Sequence, residues 1–446
     1  MKKLIVALLT LACAICTAFA VTACKKSGES SSGVTPPPGG GPHYTIEDDE
    51  DEFAYKLNAG GESYSVTGLG EVDSEQISIP ATHEGLPVTA VADDAFNGST
   101  ITAVRLPEGL KTIGAGAFSN CPNIVSIKIP DSVEKIGDSA FFGCVGLKGI
   151  ILGNGIESIA EGTFQNCNSL ASITVPDNVT SIGERAFQGC SKLVSVTVGG
   201  GVEVLCASAF RNCTLLTSVT LGNGLKTIEE SAFSNCKGLK NIVIPDSVEE
   251  ICFGAFESCT ALESITLPFV GAAANGGSND TEMKFDNGKE LTNFGYIFGA
   301  TEHADNDPVK GYVPSTLKYI TVNGNSPIPD YSLSFCYNIV RVGFGDGVKY
   351  IGTVVLGLDE AIKELVIGKG VVKFGDDLFY WSKKARTVYY AGTEQQWAAI
   401  NKGSGNEPLS NSNYIYFYSE NYPFTDSVTS GNFWHYDDGE IAIWEK

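Results

Sequence analysis

The sequence predicts a mainly β solenoid of 23-residue coils with short parallel strands, one irregular insertion and a C-terminal cap. Three observations lead there. Phe118, Phe141, Phe164, Phe187, Phe210, Phe233 and Phe256 recur every 23 residues without a slip, and Cys121, Cys144, Cys167, Cys190, Cys213, Cys236 and Cys259 keep the same period. Apolar pairs two residues apart travel with them, among them Ile127/Ile129, Ile173/Val175, Val196/Val198 and Ile265/Leu267. Such alternation marks a short strand with one buried face. Directly after these pairs stand Pro130, Pro176, Pro245 and Pro268, or Gly153, Gly199 and Gly222, which end the strand and start a turn. One such unit cannot close a core, so successive coils must stack and bury one another's apolar rows.

The elements follow in chain order. Lys2 and Lys3 precede an apolar stretch from Leu4 to Ala20, whose 17 residues suit the core of an export signal and fall short of a membrane span. Two cleavage readings stand side by side. Ala18-Phe19-Ala20 fits ordinary signal peptidase and free secretion, whereas Val21-Thr22-Ala23-Cys24 resembles the bacterial lipobox, in which Cys24 receives diacylglycerol. The Ser/Gly/Pro tether over 25–42 favours the second, because a lipid-anchored domain needs a spacer with no core of its own. Residues 1–23 are therefore read as a lipoprotein signal peptide. Residues 24–52 are read as lipidated Cys24, the tether, and a solvated acidic run from Glu47 to Glu52.

Solenoid coils fill 53–269, degenerate at first through Ile77/Ile79, Val88, Val91 and Phe96. A Gly/Asn/Asp-rich insertion over 270–316 interrupts the period. It resumes over 317–392, where Ile339, Val342, Phe344, Val348 and Ile351 return 23 residues later as Ile362, Leu365, Ile367, Val371 and Phe374. The expected total is about 12 or 13 strand-bearing coils. Residues 393–446 lose the period and gather Trp397, Trp434 and Trp444, as a lid over the last coil would.

Composition removes whole classes of function. The 446 residues are 43% hydrophobic and only 18% charged, which excludes a largely disordered chain. Against 30 Lys and Arg stand 52 Asp and Glu, a formal charge of −22, so nucleic acid is not an expected partner. His43, His83, His303 and His435 are scattered with no metal-ligand spacing, and no H-E-x-x-H, G-x-S-x-G or P-loop occurs. Gly343-Phe344-Gly345 lies inside a coil strand and lacks the third glycine of a dinucleotide site. The expectation is a non-enzymatic protein without catalytic residues, metal or cofactor.

The repeat cysteines are expected to fill a coil corner as buried thiols. Neighbours in such a column would have Cβ atoms about 4.8 Å apart with near-parallel vectors, while a disulfide needs roughly 3.5–4.5 Å and convergent ones. Cys206 and Cys252 stand where other copies hold Gly137 and Gly183.

Two surfaces are candidates for binding. Outward positions beside the buried strand residues repeat as Ser172/Thr174, Ser195/Thr197, Ser218/Thr220 and Ser264/Thr266, which stacking turns into parallel hydroxyl rows. An exposed sheet favours such residues on its own account; the alternative is a docking platform. The insertion offers Phe294, Tyr296 and Phe298, with Phe285 and Tyr312, since loops on a rigid scaffold carry recognition. Packing of the loop on itself is the competing reading.

The unit exemplified by Leu239 to Cys259, with its Leu, paired Ile, Pro, Ala-Phe and Cys, resembles the BspA-like leucine-rich repeat family. Tyr64-Ser65-Val66-Thr67-Gly68 leading to Gly85-Leu86-Pro87-Val88, Phe294 to Gly299, Tyr389 to Thr393 with Trp397, and Gly431 to Tyr436 resemble it too. The resemblance covers roughly residues 55–446 and implies a leucine-rich repeat solenoid at a bacterial surface. The implied function is a protein-binding scaffold, an adhesin for host or microbial surface proteins, held to the membrane through its lipid only. An envelope-structural or self-assembling protein without a host ligand is the alternative, and a carbohydrate-binding surface protein comes third.

Overall fold

The computed structural model describes residues 53–274, 285–286, 289–381, 386–410, 414–423, 431–438 and 440–445. The signal segment, Cys24, the tether and the acidic run lie outside the described residues.

The apolar pairs and the Val/Ile pairs each build a parallel ladder. Ser172–Thr174, Ser195–Thr197 and Ser218–Thr220 pair in parallel, with Ser172 opposite Ser195 and Ser195 opposite Ser218. A second ladder joins Ser158–Ile159, Ser181–Ile182, Val204–Leu205, Thr227–Ile228 and Glu250–Ile251. The third side of each coil has no strand, yet it too bonds to its neighbour: the Phe118 amide donates to the Ala140 carbonyl and Phe141 to Thr163. Backbone polar groups near the core are thus satisfied from coil to coil, which lets the interior of the regular coils be largely apolar.

At that third side the chain turns by placing two residues around each Phe in the left-handed region. Gly162 and Asn166 flank Phe164 in this way, with φ of 58° and 61°. Glycine and asparagine reach this conformation at little steric cost. The corner aims the Phe rings inward. Eight of them, from Phe96 to Phe256, form one column with ring centroids 5.2 to 5.5 Å apart and planes within 16° of parallel. The repeat cysteines are buried beside this column. Each thiol donates to the carbonyl of the preceding coil's phenylalanine, as from Cys167 to Phe141 at 3.2 Å and from Cys213 to Phe187 at 3.3 Å. Cysteine therefore does more than fill the corner: it is a small apolar residue that also satisfies a buried carbonyl.

The array makes about 14 turns, above the 12 or 13 coils expected. The difference lies at the C-terminus. Ile415–Tyr418 and Phe433–Asp437 continue in parallel onto Thr387–Tyr390, extending a nine-stranded sheet that begins at Asn241–Val243. Glu440–Ile443 then turns back antiparallel. A short helix, Glu394–Ala399, closed by a Thr393/Gln396 capping box, seats Trp397 against Phe374 and Tyr390. At the other end an antiparallel hairpin, Ala54–Leu57 with Tyr64–Gly68, opens the solenoid.

Candidate functional site

The hydroxyl rows are where their spacing places them. Ser172, Thr174, Thr197, Ser218 and Thr220 are exposed, while Ser195, Ser264 and Thr266 are half-buried. Parallel register sets Thr174 opposite Thr197 and Thr197 opposite Thr220. Asn241 and Val243 interrupt the pattern before Ser264 and Thr266, and Ser264 donates its hydroxyl to the Asn241 side chain at 2.6 Å. The three central strands of this face carry no charged residue, and the middle one, Ser195–Thr197, is paired on both edges.

Phe294, Tyr296 and Phe298 do not form a contact surface. Phe294 and Phe298 are completely buried and Tyr296 is 6% exposed. The reason is that Phe294–Phe298 is a 3-10 helix standing in for the Phe corner that the interrupted coil lacks. The Gly254 amide donates to the Tyr296 carbonyl and Phe256 to Ile297, the bonds that a regular next coil would accept. Phe298 lies 6.4 Å from Phe256, and Tyr296 meets Phe253 edge-on. These side chains are core, as the rest of the Phe column is. Phe285 sits in the short strand Phe285–Asp286. Tyr312 remains 39% exposed, and Val309 is 90% exposed.

A third surface emerges only from the fold. The final hairpin, Phe433–Asp437 and Glu440–Ile443, folds over the strand face of the C-terminal coils and leaves a groove of about 660 Å³ between them. Gly343, Thr321 and Val366 line its floor, and Tyr418, Tyr436 and Ile441 line its roof. Trp434 is fully buried and donates its indole N–H to the Tyr390 carbonyl at 2.9 Å. It holds Tyr418 and Tyr436 edge-on, with ring centroids 5.2 and 5.1 Å away. The two cations of the lining are both paired: Arg341 Nε lies 2.6 Å from a Glu364 oxygen, and Lys369 Nζ lies 3.5 Å from Asp346. The sequence signal for this site is the glycine at 343, in an outward row otherwise held by Thr321 and Val366 on either side.

Burial dominates the chemistry of the thiols, pushing those of Cys144, Cys190 and Cys259 up to about 12. Among the described residues no group of three or more His, Cys, Asp or Glu side chains is placed to hold a metal ion. No helix of the described residues is long and apolar enough to cross a membrane. His83 stacks on Tyr55 at the first hairpin and His435 on Trp444 at the last, each with ring centroids 3.7 Å apart.

Stacked parallel coils with inward leucines, a Phe column and a thiol ladder define a leucine-rich repeat solenoid. The chain belongs to the family of BspA-type leucine-rich repeat regions, whose model matches residues 89–216, 193–274 and 313–390 in six copies. Among solved structures it is similar to a leucine-rich repeat protein of T. pallidum, at 30% identity over 44% of this chain and 91% of that one, with a TM-score of 0.41. It is also similar to a leucine-rich repeat protein of Bacteroides ovatus, at 23% identity over 88% and 100% of the two chains and a TM-score of 0.42. A leucine-rich cell surface protein of Faecalibacterium prausnitzii shows 23% identity over 80% and 97%, with a TM-score of 0.41. A comparison with curated proteins finds no match.

Proposed function

We propose that the chain is an exported bacterial surface lipoprotein, anchored through Cys24, whose strand face binds other proteins as an adhesin. The observation that carries this reading is the hydroxyl lattice, with Ser172, Ser195 and Ser218 in one row and Thr174, Thr197 and Thr220 in the next. The lattice is set by strand pairing within the fold, before any partner arrives. A docking protein therefore meets donors and acceptors whose ordering cost was met on folding, which favours affinity at modest area. The lipobox at Val21 to Cys24 and the following tether support display at a membrane surface.

Two measurements test the halves separately. Cys24→Ala should release the mature chain from the membrane fraction and abolish lipid labelling; retention with unchanged labelling would overturn the anchor. For the second half, the full chain is offered to host matrix extracts and to neighbouring bacteria at physiological salt. A saturable protein partner lost by the triple change Thr174→Glu, Thr197→Glu and Thr220→Glu supports the adhesin. Absence of any saturable partner in both pools would favour the envelope-structural reading instead.

A further inference from the structure

The groove beneath the C-terminal hairpin is built differently from the hydroxyl lattice, and its chemistry points to another ligand. Three features matter. Its floor opens at Gly343, which faces outward between Thr321 and Val366 in successive strands. Glycine weakens a strand and offers nothing to pack, so its presence inside one marks a place where something approaches the backbone closely. The atoms nearest a Cβ built there are Thr321 side-chain atoms, the closest at 3.4 Å, an ordinary contact distance, so the strand backbone itself does not require glycine at this point.

The second feature is the roof. Tyr436 is 54% exposed and Tyr418 36% exposed although both lie against buried Trp434. Two amphipathic rings are thus packed on one buried indole and still partly exposed. The third feature is charge. With Arg341 held by Glu364 and Lys369 by Asp346, both cations are compensated, and Asp246 is the remaining charged group of the lining. An anionic ligand finds no uncompensated cation. A polyhydroxylated ligand finds paired donors and acceptors beside Asn323, each able to hold a hydroxyl while keeping its own partner. The volume of about 660 Å³ lies within the roughly 300–1,000 Å³ of small-molecule sites.

We infer that this groove is a binding site for a neutral oligosaccharide, with Tyr436 and Tyr418 stacking on the sugar faces and the Gly343 backbone forming the floor. The site is independent of protein docking on the hydroxyl lattice, so either reading stands without the other. An extended peptide is the competing occupant. It is disfavoured because the floor strands, Tyr319–Val322, Arg341–Phe344 and Glu364–Ile367, already have a neighbour on each edge, leaving no ladder for a peptide to join.

The test is calorimetric titration of the full chain, in detergent, with cellotetraose, maltotetraose, chitotetraose and a glycine–tyrosine tetrapeptide. Gly343→Val is the informative variant, because it restores the β-branched residue the neighbouring strands carry and plugs the floor without disturbing the sheet. At least one tetrasaccharide should bind, Gly343→Val should weaken it by about tenfold or more, and Tyr436→Ala by about threefold to tenfold. The melting temperature of Gly343→Val should not fall. No binding of any sugar overturns the inference, as does equal binding by parent and Gly343→Val. Binding of the tetrapeptide alone, lost in Gly343→Val, would reassign the groove to peptides.

Discussion

The central coils and the C-terminal coils follow the same backbone path with different residues at the same corners. Between Phe118 and Phe256, the two left-handed positions around each Phe are mostly Gly, Asn or Ser, as at Ser139, Gly143, Gly162 and Asn166. After the insertion the six corresponding positions hold Tyr331, Phe335, Val354, Leu358, Asp377 and Trp381, with φ between 51° and 67°, and only Asp377 is of a type that favours it. A bulky side chain there carries about 1–2 kcal/mol of strain. The thiol ladder changes as well. Asp359 stands where a repeat cysteine would, fully buried, and burial pushes its carboxyl well up against the opposing pull of Arg386. Stacking of neighbours, and not corner preference, therefore dictates where the chain turns. The later corners also expose more apolar surface, as Trp381 does at 64% and Tyr331 at 44%.

Breaking the Phe column is the severest test of this contrast. Phe187→Ala removes a ring flanked at 5.3 and 5.2 Å by Phe164 and Phe210, and should cost roughly 3–5 kcal/mol in urea unfolding. Leu356, the corner residue of a later coil, is equally buried; its replacement by Ala should cost roughly 2–5 kcal/mol. Equal protease resistance in parent and Phe187→Ala would mean that the column is not core.

The thiols give the next effect, and its sign is set by burial. Folding raises Cys144, Cys190 and Cys259 from the ordinary 9.0 to about 12. Stability contributed by keeping them protonated is complete below pH 9 and is lost as pH climbs towards 12. The central coils should accordingly open in alkali over that window, and alkylation of the ladder cysteines should track unfolding measured by circular dichroism. Labelling of Cys190 at pH 8 in the folded chain would contradict this.

The smallest effect separates corner from corner. Gly143→Val, at a φ of 69°, should destabilise by about 1–2 kcal/mol. Val354→Gly, at a φ of 54°, should stabilise by up to about 1 kcal/mol once the entropy of glycine is deducted. Thermal melts of the two variants that moved in the same direction would remove the argument that the later corners are strained.

Much of this molecule is legible in its sequence, for a physical reason. A stacked coil repeats its environment every 23 residues, so burial of Phe118 is announced again at Phe141 and Phe164, and the signal grows with each copy. The hydroxyl rows are readable on the same ground. The failures fall where the period fails. Phe294, Tyr296 and Phe298 look like loop residues because the corner they rebuild arrives late, and no spacing rule tells that a 3-10 helix will fill a missing coil. The groove is invisible for a related reason: Tyr418 and Tyr436 lie in a non-repeating segment whose fold-back onto Gly343 depends on Trp434 seating against Tyr389 and bonding Tyr390.

The coil-to-coil ladders have a consequence for force. Neighbouring coils hold to each other through backbone bonds on more than one side, such as Ile129 to Ile151 on one and Phe141 to Thr163 on another, so contacts run mainly between nearest neighbours. A pull applied at the two ends therefore peels the rod one coil at a time. Every coil of about 23 residues that lets go yields on the order of 75 Å of extended chain, at about 3.3 Å per residue. Over the uninterrupted coils between Phe118 and Phe256 such a pull should lengthen the molecule in even steps of that size, a pattern that force spectroscopy would read directly.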